Sequence, residues 1–177
     1  MKNLIIIASL FFMLSLYGQT EKITTFGIKA GLNKSYIVSE NKDFYTGLEL
    51  YVGFFSDAKL NNKLNLQNEI VFSYTDDYHF IEIPVLIKYK IKKKWSFFLG
   101  PKLDFILDND NDPFEAIAYR FKNFGISVTL GIQYDISKRF FSEIRYGHSF
   151  TAQVDDLILE LFNSKRRTVR VGFGFKF

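Results

Sequence analysis

The sequence predicts an all-β chain: an eight-stranded antiparallel up-and-down transmembrane β-barrel. Three observations lead there. Apolar residues recur at every second position in segment after segment, the period of a strand and not of a helix. The segments that alternate in this way number eight, and bacterial membrane barrels close with an even number of strands. Of the 11 glycines, every one beyond Gly18 falls on the polar face of its segment.

Taken in order, residues 1–18 read as a secretory signal peptide, with Lys2 at the start, an apolar run from Leu4 to Leu16, and small and polar residues after it. Cleavage is expected near Gly18 and Gln19. The run is shorter than the roughly 20 apolar residues of a helical span. Residues 19–177 then form one barrel domain, exported from the cytoplasm.

Strands are expected at 24–32, 44–56, 64–74, 80–91, 95–107, 123–136, 140–149 and 168–177. The clearest is the sixth, where Phe124, Ile126, Val128, Leu130, Ile132, Tyr134 and Ile136 share one face. The last repeats the rule, with Val169, Val171, Phe173, Phe175 and Phe177 on one side and Arg170, Gly172, Gly174 and Lys176 on the other. Tight turns are expected at Lys92–Lys94, Ser137–Arg139 and Asp57–Lys63. Long connections at Asn33–Asp43, Thr75–His79, Asp108–Lys122 and Phe150–Arg167 gather on the opposite rim, which is assigned to the cell exterior.

Alternation alone also suits a soluble lipocalin-like barrel with its apolar face inward. The glycines decide for the membrane, because eight strands enclose only enough space for packed side chains, and a narrow interior favours residues without a Cβ. Asn68 and Ser142 interrupt the lipid face, while Pro84 and Pro101 remove ladder donors; bulges are expected there.

The composition, 47% hydrophobic and 18% aromatic, shows no break that would divide the chain. With no cysteine there is no disulfide framework. The net charge of +4 is scattered among acids, so nucleic-acid binding is not indicated.

The run Phe80-Ile81-Glu82-Ile83-Pro84-Val85-Leu86-Ile87-Lys88-Tyr89-Lys90, followed by Phe97-Phe98-Leu99-Gly100-Pro101-Lys102-Leu103, resembles the outer membrane β-barrel family that includes the PorT-like proteins of Bacteroidota, small barrels of the OmpA/OmpX kind. The later segments Phe124-Gly125-Ile126, Gly131-Ile132-Gln133-Tyr134 and Phe141-Ser142-Glu143-Ile144-Arg145-Tyr146 look like that family's later hairpin. The resemblance implies an outer-membrane location, contact with outer-membrane lipid, and, from the PorT-like group, an envelope protein partner in export or gliding. The ending resembles the signal by which such barrels are handed to the barrel assembly machinery, with Arg170, Gly172, Phe175 and Phe177 at its positions.

Under this register the interior holds Lys29, Glu49, Glu69, Glu82, Lys88, Lys102, Asp104, Asp135, Glu143, Arg145 and Arg170. Burying an unpaired ion costs several kcal/mol, so a closed polar network joining Glu82, Lys88, Lys102, Glu143 and Arg145 is expected, as a plug rather than an ion path. Enzymatic editing of lipid A is the competing chemistry. His148 and Ser149 are neighbours and must point to opposite faces, and Phe150 stands where lipid A deacylases place a serine. No cofactor or metal is expected: Asp108-Asn109-Asp110-Asn111-Asp112 and Glu115 imitate a calcium loop, but Pro113 replaces its glycine and Tyr119 its bidentate acid. Finally, Val154, Leu157, Ile158 and Leu161 recur at helical spacing, giving a short amphipathic helix as a lid over the barrel mouth, a membrane contact or a docking site, with the lid preferred.

Overall fold

A computed structural model describes residues 24–38, 43–74, 79–107, 119–121, 124–151, 154–156 and 161–177. The expected signal peptide and the Asp108–Asp112 run lie outside them. The strands are β1 (Thr24–Val38), β2 (Asp43–Lys59), β3 (Leu64–Tyr74), β4 (His79–Lys90), β5 (Trp95–Leu107), β6 (Tyr119–Phe121), β7 (Phe124–Asp135), β8 (Phe140–Ser149), β9 (Val154–Asp156) and β10 (Leu161–Lys176).

Sequential neighbours pair antiparallel around a ring of β1, β2, β3, β4, β5, β7, β8 and β10, and β10 returns to β1 to close it. Closure leaves no exposed ladder edge, which a lipid environment requires because it offers no water to unpaired backbone groups. At the seam, the register runs from Gly27↔Lys176 to Val38↔Lys165.

Local chemistry explains the tight turns. The Asn61 side chain accepts from the backbone N–H groups of Lys63 and Leu64, each at 2.8 Å, and the Ser137 hydroxyl accepts from those of Arg139 and Phe140. Both are side-chain imitations of a backbone turn. The strand ends flanking the other connections, from β1 to β2, β3 to β4, β5 to β7 and β8 to β10, lie at the opposite end.

Four expectations need correction. β1 continues to Val38 and β10 begins at Leu161: β1 and β10 keep pairing as far as Val38↔Lys165, and Leu161 and Ser164 pair with β9. Asp57 belongs to β2 and not to a turn. The Val154–Asp156 part of the expected helix is strand and not helix: β9 pairs with β6 and β10 in a small antiparallel sheet, and 157–160 lie outside the described residues.

The prolines, lastly, produce no bulge. β3–β4 and β4–β5 hold one register throughout, and the pairing is merely interrupted near Pro84 and Pro101. A missing N–H drops a bond without adding a residue. Among the described residues of the barrel ring, the register shift lies elsewhere, between Ser35 and Tyr36.

The outward face is apolar, with Phe54, Ile70, Ile144 and Phe173 each more than 60% exposed. Rings mark both of its borders. Trp95 lies 4.8 Å from Tyr134 and Phe140 4.9 Å from Phe175 at the turn end; Tyr74 stacks on His79 and Phe105 meets Phe124 at the loop end. An apolar band between two aromatic girdles is the surface a bilayer solvates. A soluble barrel would carry the reverse arrangement.

Candidate functional site

Because side chains alternate along each strand, one parity of every barrel strand points into the lumen. That parity carries charge at Lys29, Glu49, Glu69, Glu82, Lys88, Lys102, Asp104, Glu143, Arg145 and Arg170, all buried, with Asp135 half-buried at the turn end. Eight strands leave no room for these groups to hydrate, so each must find its counter-ion across the lumen.

They do so in three tiers, not in one network. On the loop side, Glu82 accepts from Arg170 at 2.9 Å and Arg166 at 3.2 Å, and lies 3.3 Å from Lys102, which also meets Asp104 at 2.8 Å; Arg166 reaches on to Glu49 at 2.6 Å. In the middle, Glu69 receives a two-point clasp from Arg145, with both bonds 2.7 Å, and the ammonium of Lys29. Glu143 completes that tier by accepting from Arg145 at 2.7 Å. On the turn side, Lys88 pairs with Asp57, and Lys176 with Asp135 at 2.7 Å. Lys88 is therefore separate from Glu82, Lys102, Glu143 and Arg145, which themselves divide between two tiers.

Each tier is neutral within itself: Glu49, Glu82 and Asp104 face Lys102, Arg166 and Arg170; Glu69 and Glu143 face Lys29 and Arg145; Asp57 and Asp135 face Lys88 and Lys176. Local neutrality keeps the attraction at contact distance, where a low dielectric strengthens it most. Asn33 donates to Glu49 and Ser127 to Asp104, adding one neutral donor to each of these carboxylates.

Two sets of lumenal residues escaped the sequence reading. The sequence puts Arg166 and Asp57 in connections, yet both are buried and paired. The inward parity also carries Tyr51, Phe55, Phe80, Phe98 and Phe141, which are buried and to which the sequence reading gives no lumenal role. The arginines lie over these rings, Arg166 at 3.8 Å from the Phe80 centroid, Arg170 at 4.4 Å from Tyr51 and Arg145 at 4.6 Å from Phe98. Each guanidinium is thus held between a carboxylate and an aromatic face. Glycine makes the space: a Cβ on Gly172 would stand 1.8 Å from the Tyr51 hydroxyl. The signal was available, since Tyr51 and Phe55 share the parity of Glu49.

His148 and Ser149 do diverge. The His148 ring meets Phe150 edge-on at 5.6 Å, while the buried Ser149 hydroxyl donates to the Thr151 carbonyl at 2.9 Å. A serine that donates to a backbone carbonyl, away from the neighbouring imidazole, lacks the base that would activate it. Among the described residues, no cluster of His, Asp or Glu could hold a metal ion. In the C-terminal segment, Arg170 and Gly172 face the lumen, Phe175 packs on Phe140, and Phe177 is exposed.

A closed barrel, apolar outside between aromatic girdles and filled inside by paired ions, is the construction of a bacterial outer-membrane barrel. The chain belongs to that class by sequence as well: residues 17–153 match the family described as outer membrane protein beta-barrel domain. Among solved structures, Neisserial surface protein A is similar at a TM-score of 0.56 and 13% identity, covering 86% of this chain and 97% of its own. Ail, the attachment invasion locus protein of Yersinia pestis, is similar at 0.52 and 14%, covering 86% and 98%. A second structure of Ail, in complex with the heparin analogue sucrose octasulfate, gives 0.52 and 13%, covering 87% and 99%. At such identities the likeness is one of fold. No curated protein matches the sequence. The protein is an outer-membrane β-barrel, and β10, which closes its ring, lies beyond the matched residues.

Proposed function

We propose that the protein is a non-enzymatic, non-conducting frame that holds its long connections outside the cell for binding. The observation that carries this is the filled lumen: between the loop-side and middle tiers, the space bounded by Glu82, Lys102, Arg145 and Arg170 is about 10 Å³. That is room for about one water molecule. With the interior packed, the rims remain as working surfaces, and the β6–β9–β10 sheet gives the loop rim a folded platform.

An adhesive role has support from the shared fold with Ail, described as an attachment invasion locus protein. Charge suggests a different ligand from the sulfated one in the Ail complex. The loop side of this chain carries Asp76, Asp77, Asp108, Asp110, Asp112 and Glu115, which favour a basic partner. The C-terminal residues Arg170, Gly172, Phe175 and Phe177 would serve biogenesis, as the strand presented to the barrel assembly machinery.

Two measurements test the frame. Reconstituted in planar bilayers, the protein is expected to give no unitary ion currents; regular open steps would overturn the plug. In nanodiscs, offered arrays of matrix proteins and glycans, it is expected to bind through the loop side, and to lose that binding when 108–118 and 157–160 become short Gly-Ser linkers. Heat-modifiable gel migration should survive the exchange. Equal binding by both proteins, or none by either, would remove the adhesive role. A stoichiometric envelope protein in the purified material would favour the export or gliding assembly implied by the PorT-like wording of residues 80–103. Lipid A mass profiles are expected to stay unchanged on deletion and overexpression, and a lost or gained acyl chain would restore the enzymatic reading.

A further inference from the structure

The space between the loop-side and middle tiers is about 10 Å³, whereas the turn end of the lumen opens into a polar cavity of about 330 Å³. Its wall includes the two turn-side ion pairs, and around them stand four more cations, Lys59, Lys90, Lys138 and Arg139. The two side-chain acids of the wall are already engaged. Asp57 accepts from Asn65 as well as Lys88, and Asp135 from Gln133 as well as Lys176. Among the described residues, the four further cations have no ion-pair partner. Like charges converging on one mouth repel, and a concave low-dielectric wall concentrates their field, so the arrangement favours a bound anion.

Two other observations narrow the anion. Asn65 and Gln133 line the same cavity, each more than nine-tenths buried, and each leaves its amide oxygen without a hydrogen-bond partner. An acceptor beside a cationic mouth suits a ligand that carries hydroxyl donors as well as negative charge. The depth of the site is set by the girdle at this end, where Trp95 pairs with Tyr134. Such rings mark the boundary between hydrocarbon and water, so the cations just beyond them stand level with lipid phosphates.

We propose that the turn-end mouth binds a hydroxyl-bearing phosphate ester of the glycerol phosphate type. Two sources share that chemistry: the headgroup of an anionic phospholipid in the adjoining leaflet, and a soluble organophosphate. The site is independent of what the loop side binds, and its failure would leave that function untouched.

The test uses the whole barrel. Trp95 is the chain's one tryptophan and lies at this rim, so its fluorescence reports locally. One arm titrates sn-glycerol 3-phosphate into protein in zwitterionic detergent. The other measures, by native mass spectrometry, the retention of phosphatidylglycerol over phosphatidylcholine from mixed nanodiscs. Saturable binding is expected in at least one arm, and which arm responds identifies the source. The combined variant Lys59→Gln, Lys90→Gln, Lys138→Gln, Arg139→Gln should weaken it at least about tenfold. An equal removal of charge from the turns outside the cavity, Lys63→Gln, Lys92→Gln, Lys93→Gln, Lys94→Gln, should weaken it less than about threefold. All of these side chains are exposed, so the barrel should close in both; the pair Lys138→Gln, Arg139→Gln, confined to one turn, gives an intermediate loss and guards against a folding defect. Equal losses in the two four-site variants would show diffuse charge and no site, and absence of saturable binding in both arms would equally overturn the proposal.

Discussion

Glu82→Ala is expected to destabilise the folded barrel by about 3–5 kcal/mol, because it removes a carboxylate shared by three cations and strands one of them, Arg170, in a lumen that cannot hydrate it. Glu82 is fully buried and touches Arg170, Arg166 and Lys102 together. Arg166 would keep Glu49 and Lys102 would keep Asp104, but Arg170 would lose the one carboxylate it is bonded to here. Replacement by glutamine keeps the shape and loses the charge, so a smaller loss is expected. Asp135→Ala breaks a pair whose side chains remain 24% and 18% exposed at the mouth, and should cost less than about 1 kcal/mol. Urea midpoints followed by Trp95 fluorescence, with gel mobility as a check on closure, separate these cases. Similar midpoint shifts for Glu82→Ala and Asp135→Ala would mean that the lumen is wet and that the tiers contribute little.

The legibility of the sequence follows from where a single periodicity governs. In β7, Phe124 through Tyr134 alternate without exception, so both the strand and its lipid face could be read directly. Glu82, Lys88, Lys102 and Arg145 were recognisable as lumenal for the same reason: parity alone sends them inward. Parity says nothing, however, about height along the barrel axis. That height depends on the stagger between strands, and it decides that Lys88 meets Asp57 at the mouth while Glu82 meets Arg170 near the opposite end. The division into neutral tiers was therefore invisible in one dimension.

The remaining misses share a cause, a local signal outweighed by a partner strand. Lys165, Arg166 and Arg167 look like a solvated loop, yet β1 continues opposite them and pairs with their backbone groups. Arg166 then turns inward to Glu82 and to Glu49, which has no other counter-ion among the described residues. The inward aromatics were hidden by chemistry instead, since large rings suggest lipid. Their lumenal places depend on glycines of adjoining strands and on arginines that cover them, and those contacts appear only after the ring is closed.

Gly100→Ala should prevent or severely weaken closure, whereas Gly147→Ala should be tolerated, although both glycines face the same lumen. At Gly100 a Cβ would lie 1.9 Å from the carbonyl oxygen of Val85 and 2.9 Å from the Cα of Leu86, so the obstacle is backbone. This is also the stretch where β4 and β5 skip their ladder pairing, between Pro84↔Lys102 and Ile87↔Leu99. Pro84 lacks the N–H that would hold the regular spacing, and the neighbouring strand closes in at the residue that has no side chain. Relief would require moving one strand within a closed ring, and every other pairing resists that movement. A loss of about 3 kcal/mol or more is expected, beyond ordinary overpacking. At Gly147 the nearest atom is the Thr168 hydroxyl at 2.4 Å, with nothing else closer than 3.8 Å, and a hydroxyl can rotate away. Heat-modifiable migration after refolding into detergent reads both variants. A fully folded band for Gly100→Ala would show that the β4–β5 approach can open, and that the two prolines interrupt the ladder without drawing the strands together.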